Sequence, residues 1–516
     1  MRIMKYFPER GVNPMKKLIT VCLIAAAILG STPVTALRVQ AVKTTRTEDG
    51  WVLKKTELYV TASYAGKAKK VTVPNGVQKL NSLPNCVREI HISDSVEECD
   101  ILWGGSKNLR KYTVSKKNKN YSAKDGVLFD KKKKTLVHYP PKKEGRKYNV
   151  PQGVKEIDLI ENNNLKNLKL PDSLLRISTI RSKKMAKLRI PPKVYSIGVV
   201  EIAGKITIAE GNKTYTMSEG VTINKKTSEL IFYPPNKKDE TYTLPDGVKY
   251  IYSNAFANNR CLKTLHIPKT FNWAYDAYDF ISPFYELSTP YLRNYTVDPD
   301  NSNFTAQDGV LYNKEMTELY AYPGGKRSKT YIMPETMNSG FNLSRNKYLR
   351  DVTVNAVAFI QNENDYKTYK RPDWWWLDIY FPPNLQNVYV NKDNPMFSSD
   401  NGVLLNKNMT ELIYYPEGRT ASSYTVPESV TRIRDHAFWS VKKKLTVKLP
   451  PNVKSVADLN YRKIIAELDS DDDNSDYNKI ARDNLKRAYK KITFKVKKDS
   501  VSHRTVKKLG LNYKFY

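Results

Sequence analysis

Short runs in which apolar and polar residues alternate, closed by a proline, recur along most of the chain. Leu168-Lys169-Leu170-Pro171, Leu188-Arg189-Ile190-Pro191 and Leu265-His266-Ile267-Pro268 are examples. A period of two puts both apolar residues of such a run on one face of a β-strand. The proline has no N–H to donate and ends the ladder. The apolar landmarks Val150, Leu170, Ile190 and Ile208 are 20, 20 and 18 residues apart. An apolar residue follows each proline within a few places (Val77, Val154, Val194, Val248, Val430). In several repeats Ile157, Ile197, Ile251 or Ile433 comes next. This spacing returns the chain to a core on its opposite side, so one coil takes about 20 residues.

A longer unit is laid over this rhythm. Gly126, Gly220, Gly309 and Gly402 each stand 13 residues before the tyrosine of a Tyr-Pro pair, at Tyr139, Tyr233, Tyr322 and Tyr415. The proline of each pair stands 11 residues before Pro151, Pro245, Pro334 or Pro427. A worn fifth copy runs from Asp49-Gly50-Trp51 to Val73-Pro74. In the third copy, two strand-like runs, 309–313 and 318–322, flank Lys314-Glu315-Met316-Thr317, which predicts an inserted β-hairpin. The Asp-Gly or Asn-Gly before the first run tolerates positive φ.

The expected fold is therefore a repeat solenoid, mostly β with short helices or 3-10 turns, built from parallel-sheet coils with inserted β-hairpins. Residues 37–455 form the solenoid, with hairpin-bearing units near 49–77, 112–154, 206–248, 295–337 and 388–430. After Pro451 the period fades. Residues 457–468 and 477–490 are patterned as helices, and 492–496 and 512–516 as strands. Residues 456–516 are thus expected to form an α/β cap, as the last coil of a solenoid requires. At the other end, Lys16-Lys17, the apolar run 18–29 and Val34-Thr35-Ala36 are patterned as a secretory signal, making 1–36 an extension plus signal peptide. Secretion, with wall association as an option, is the expected location. Cys86 and Cys99 are spaced so that they either pair or serve as small buried residues.

These motifs resemble the BspA-like (Treponema pallidum-type) leucine-rich-repeat family. The residues that carry the resemblance are Asp308-Gly309-Val310-Leu311-Tyr312, Tyr322-Pro323, Val248-x-x-Ile251-x-x-x-Ala255-Phe256 and Val430-x-x-Ile433-x-x-x-Ala437-Phe438. It covers roughly residues 49–455. The resemblance implies secreted or cell-surface proteins associated with adhesion, with no catalytic residues to carry over. The Ala-Phe pair is missing after Val154 and Val194.

Charge adds a partner class. The 516-residue chain has 86 Lys and Arg against 52 Asp and Glu, a formal +34. Such a field attracts polyanions. Alternate strand positions hold Lys111, Lys169, Lys187, Arg189 and Lys263, which predicts a basic strip able to take acidic glycans or wall polymers. A protein on a host or neighbouring cell is the other expected partner, and an export signal argues against nucleic acid. Trp374-Trp375-Trp376 is a second candidate contact, since clustered aromatics stack on sugars or anchor proteins. Asp469, Asp471 and Asp473 alternate as calcium ligands do. Counting from Asp469, however, Asn474 and Ile480 stand where an EF-hand loop needs Gly and Glu. No nucleophile elbow, zinc motif or phosphate loop is present, so we expect a monomeric binding protein without catalysis or cofactor.

Overall fold

The structure, a computed structural model, describes residues 43–56, 59–102, 105–272, 289–337, 341–355, 379–434, 437–438, 441–456 and 489–516. The signal segment 1–36, Trp374–Trp376, the carboxylates Asp469, Asp471 and Asp473 and the expected helices within 457–488 lie outside the described residues.

The chain is a mostly-β solenoid. The apolar-x-apolar-Pro runs form a front sheet of parallel strands. Lys70–Thr72, Glu89–Ile92 and Lys111–Val114 pair in sequence. Lys147–Asn149 pairs with Asn167–Lys169, and Lys187–Ile190 with Lys205–Ile208. Thr241–Thr243, Thr264–Ile267 and Asn294–Val297 follow, then Thr330–Ile332, Asp351–Val354 and Asn387–Val390. Ser423–Thr425, Leu445–Lys448, Ile492–Val496 and Tyr513–Phe515 complete it. The strands expected in a terminal cap thus extend the front sheet itself. The helix Val501–Lys508, which hydrophobic spacing did not predict, connects the last two.

Among the described residues the return side of the coils forms a second parallel sheet. Thr135–Tyr139, Glu156–Glu161, Arg176–Ser182 and Ser196–Ile202 pair in register. Asp100–Leu102 is the one 3-10 turn among the described residues. The reason is local. Segments such as Arg176-Ile-Ser-Thr-Ile are β-branched and alternating, so strand costs them little side-chain freedom. The core lies between the two sheets. Leu168, Leu170, Leu188, Ile190 and Ile206 from the front meet Ile157, Ile160, Ile177 and Ile180 from the back. Each fully buried Leu or Ile contributes about 1.5–3 kcal/mol.

The insertion is larger than a hairpin. Phe304–Gln307, Val310–Asn313 and Leu319–Ala321 form a three-stranded antiparallel meander, and the other three units repeat it. The Asp-Gly pair makes the first turn of the meander. Asp308 and Gly309 have φ of 50° and 74°, as a two-residue type I′ turn demands. In the units where back-sheet pairing is resolved, the third strand joins the back sheet, as Glu411–Tyr414 does with Arg432–Ile433. Behind it the Tyr-Pro tyrosine packs on the tyrosine nine residues later, with ring centroids 4.9–5.6 Å apart in all four units. The worn first copy is also a meander, with Trp51 buried against Tyr64.

Coils are fastened to one another by asparagines that the hydrophobic reading passed over. Asn118, Asn162, Asn212, Asn259, Asn301, Asn346 and Asn394 are all buried. The side-chain amide of Asn301 donates to Pro268 O (2.8 Å) and Phe271 O (3.0 Å) of the preceding coil. Its Oδ1 accepts from the N–H groups of Asn303 and Phe304, both at 2.9 Å. Asn162, Asn212, Asn259 and Asn346 do the same. Ser106, Ser182 and Ser502 replace asparagine in three coils, each hydroxyl donating to a carbonyl of another coil.

Replacing Asn301 by Ala removes two donated and two accepted bonds at a fully buried site. We expect a loss on the order of 2–4 kcal/mol, read as a lower urea midpoint by circular dichroism. An exposed control such as Asn149→Ala should shift the midpoint little.

Candidate ligand-binding face

The inserted meanders divide the front sheet. Tyr112 N–H donates to Gly126 O (3.0 Å), Tyr295 N–H to Gly309 O (2.9 Å) and Val388 N–H to Gly402 O (2.9 Å). The turn thus takes the sheet edge where another strand would pair. The front strands fall into five bays, spanning 70–114, 147–208, 241–297, 330–390 and 423–515, the second of which consists of two strand pairs, Lys147–Asn149 with Asn167–Lys169 and Lys187–Ile190 with Lys205–Ile208.

The outward residues give each bay its chemistry. The first carries Lys70, Glu89 and Lys111. The third carries Thr241, Thr243, Thr264, His266, Asn294 and Thr296, with His266 Nδ1 2.9 Å from Thr296 Oγ1. His91 bridges to Thr113 at the same distance in the first bay. In the fourth bay Ile332, Thr353 and Tyr389 share one register row, with Ile332 65% and Tyr389 47% exposed.

The second bay gathers the candidate cations. Its outward positions are Lys147, Asn149, Asn167, Lys169, Lys187, Arg189, Lys205 and Thr207, five cations and no acid. Lys187 faces Lys205 across adjacent strands, a like-charge pair that costs stability. Arg189 reaches Asp172 at 3.4 Å between exposed side chains. The four lysines have no ion pair among the described residues. Lys111 lies on the same face one bay earlier. Lys263 does not join the row: it precedes its strand, and its ammonium donates to Arg260 O at 2.5 Å.

The back sheet of the same coils is arranged differently. Arg181 pairs with Glu201 (3.2 Å) and Glu161 (3.9 Å), and Arg176 with Glu156 (3.8 Å). The back strands carry four acids and two arginines, whereas the outward front positions hold cations without acids. Part of the basic excess serves the fold. Lys131, Lys225, Lys314 and Lys407, five residues after each unit's glycine, donate to main-chain carbonyls where the meander begins. A groove of about 770 Å³ opens beside the strand Lys111–Val114, but its Arg110, Lys111 and Lys143 are matched by Glu89, Asp125 and Glu144. Arg110 and Glu144 pair at 3.1 Å.

Groups able to do chemistry are few. Among the described residues no set of three or more His, Cys, Asp or Glu could hold a metal ion. Cys86, Cys99 and Cys261 are free thiols, so Cys86 and Cys99 do not pair. Burial pushes the Cys99 thiol up to about 12, away from nucleophilic use. His138 is buried with its Nδ1 against the Tyr112 hydroxyl, and burial lowers it from 6.5 to about 4. The landmark residues Gly126, Gly220, Gly309 and Gly402, with their tyrosines and prolines, are structural parts of the meander coils.

Residues 224–282 and 414–484 match the family model of the BspA type leucine rich repeat region, in six copies. No curated protein matches the chain in sequence. Among solved structures, the chain is similar to a leucine rich cell surface protein from Faecalibacterium prausnitzii, at 15% identity and TM-score 0.34. That match covers 68% of this chain and 96% of that one. It is similar to the pneumococcal vaccine antigen PcpA at 12% identity and TM-score 0.27, over 92% and 99% of the two chains. A leucine-rich repeat protein from Eubacterium ventriosum matches at 14% identity and TM-score 0.25, over 78% and 95%.

His138 gives a pH prediction. Its folded value is depressed, so the unfolded chain binds the proton more readily. Stability should fall as pH drops from about 6.5 and level off below about 4. The loss is on the order of 3 kcal/mol. His138→Gln should flatten that part of the curve, measured as urea midpoint against pH.

Proposed function

We propose that this chain, whose repeats are of the BspA leucine-rich type, is a non-catalytic binding scaffold that works outside the cell or at its surface. The second bay is its ligand face, and the ligand is an acidic glycan or an anionic wall polymer. The observation that carries the reading is the outward face of 147–208, with five cations and no acid, beside a back sheet whose charges are paired. Two strand pairs hold these cations, Lys147 and Lys169 on one pair and Lys187, Arg189 and Lys205 on the other, with strands about 4.8 Å apart within each pair. Little conformational entropy is then lost when a linear polyanion lies across them. The export pattern at 1–36 and the family's surface-protein character support the location. Adhesion to another cell and retention on the producer's own wall both follow from such a face, depending on who makes the polymer.

A second reading rests on the fourth bay. Ile332 and Tyr389 are exposed apolar side chains in one row, which suits a protein partner better than a polyanion.

The test uses the full exported chain with immobilised heparin and with purified teichoic acid. Binding should weaken steeply as salt rises, because Coulomb attraction between exposed charges is screened. The variant Lys147→Gln, Lys169→Gln, Lys187→Gln, Arg189→Gln, Lys205→Gln should bind at least about tenfold more weakly. Its circular dichroism should match the parent. Undiminished binding by this variant would sink the assignment of the second bay. A binding loss confined to Ile332→Ser/Tyr389→Ser, against a protein ligand, would favour the second reading.

A further inference from the structure

The groove beside the strand Lys111–Val114 has counterparts in later units, and there the chain fills the position with its own side chains. In the fourth unit Arg419, four residues after the Tyr-Pro tyrosine, donates to Gln386 O (3.1 Å) and Asn387 Oδ1 (3.0 Å), and its guanidinium lies against Gly402. In the third unit the equivalent Lys326 donates to Asp308 O at 2.5 Å. The fourth unit has a second such contact further along the strand, where the Ser399 hydroxyl accepts from the Val390 N–H at 3.2 Å. Each contact satisfies a main-chain group at the edge of the front sheet.

The first unit makes neither contact. Its residue equivalent to Arg419 and Lys326 is Lys143, which lines the groove and has no side-chain hydrogen bond among the described residues. Its residue equivalent to Ser399 is Ala123, a methyl group in place of a hydroxyl. The third unit also has alanine there, Ala306, but keeps Lys326 in place, and the second has the larger Met217. Alternate N–H groups of a strand point to opposite sides. Tyr112 N–H faces the meander and is taken by Gly126 O at 3.0 Å. Val114 N–H faces the same way and has no partner among the described residues. The groove, about 770 Å³, is the size of a small-ligand site. Lys111 and Lys143 line it, as do the carboxylates of Glu89 and Asp125. Arg110 and Glu144 on its wall are already paired with each other at 3.1 Å.

In the later units the chain supplies a cationic nitrogen at one point and an oxygen acceptor at the other. A ligand that completes the first unit's groove must carry both. The two points are Arg110 O, the counterpart of Gln386 O, and Val114 N–H. Three strand residues separate them, about 10 Å, which a single amino acid does not span and three extended residues do. We propose that this groove binds a short extended peptide with free ends. Its α-ammonium takes the position of the Arg419 guanidinium, near the carboxylates of Glu89 and Asp125. Its terminal carboxylate takes the position of the Ser399 hydroxyl at Val114 N–H, with Lys111 and Lys143 supplying the opposite charge. Hydrogen bonds to charged ends are roughly twice as strong as neutral ones, and capture of peptide ends by main-chain groups is a recurring mode of recognition. A polyanion would meet the carboxylates of Glu89, Asp125 and Glu144 here, so the second bay and this groove select different ligands.

The test is isothermal titration of the full exported chain with L-trialanine, N-acetyl-trialanine and trialanine amide. Trialanine should bind at one site per chain. Each blocked form loses one charged end and should bind about tenfold more weakly. The variant Lys111→Asn/Ala123→Ser/Lys143→Arg rebuilds the fourth unit's filled groove in the first and should lower trialanine binding more than about tenfold. Ala123→Ser alone, a change of one hydroxyl, should weaken binding in the same direction. Circular dichroism verifies the fold of both variants. The second-bay glutamine variant should bind trialanine as the parent does, so failure of that bay's assignment leaves this result intact. Three outcomes would overturn the proposal: no binding of trialanine; equal binding of the two blocked forms; or undiminished binding by both groove variants.

Discussion

The solenoid depends on what becomes of the main-chain polar groups where each coil turns. A turn buried against its neighbour leaves carbonyl and N–H groups without water, and each such group costs about 1–3 kcal/mol if unpaired. An asparagine, or in three coils a serine, meets this demand. The asparagine amide donates across to the preceding coil, and its oxygen accepts from the two N–H groups of its own turn. Asn118, Asn162, Asn212, Asn259, Asn301 and Asn346 all work in this way. The contact is strictly nearest-neighbour, as in any quasi-one-dimensional array. It sets the stacking distance that lets the Leu and Ile rows close into one core.

With stacking set by asparagine, strand faces are free to vary. The inward positions repeat because they share one core, whereas the outward positions differ from bay to bay. The meanders make that variation usable. In three units a glycine carbonyl takes the front-sheet edge, and the front strands fall into short faces. One is rich in threonine, one is partly apolar and two are basic. The chain's excess of lysine therefore has at least three destinations. Some ammonium groups complete turns, as Lys314 does at Asn301 O. Some stand in the second bay without counter-charge. Others line the last three front strands, as Lys448, Lys495 and Lys514 do.

Much of this was legible along the chain. The 20-residue rhythm and the Gly-to-Tyr-Pro spacing located the front strands and four insertions, since a strand's period of two and a proline stop are local properties. The asparagines carried a signal that hydrophobic reading ignores. Asn118, Asn212, Asn301 and Asn394 each stand eight residues before the unit's glycine, and Asn162, Asn259 and Asn346 each stand three before a buried leucine. A polar residue looks like loop until its partners, 18 to 33 residues away, are known. Along the chain the back sheet stays unassigned as an element because two or three apolar residues after a proline do not distinguish strand from turn. Neighbouring strands decide that.

The sequence by itself determined the repeat, the strand faces and the abundance of cations, because those follow from residue type and spacing over a few positions. Only the tertiary structure decided which lysines share a face. Lys169 joins Lys147 on one strand pair, and Lys187 and Arg189 join Lys205 on the next, because coils stack in register. Lys263, which looks equivalent along the chain, turns back to Arg260 O at the edge of its strand. The C-terminal row of Lys448, Lys495 and Lys514 spans 66 residues of sequence. Three parallel strands bring it together. Charge is additive along a chain, but the field that a ligand meets depends on distance, and distance is set by the stacking of the coils.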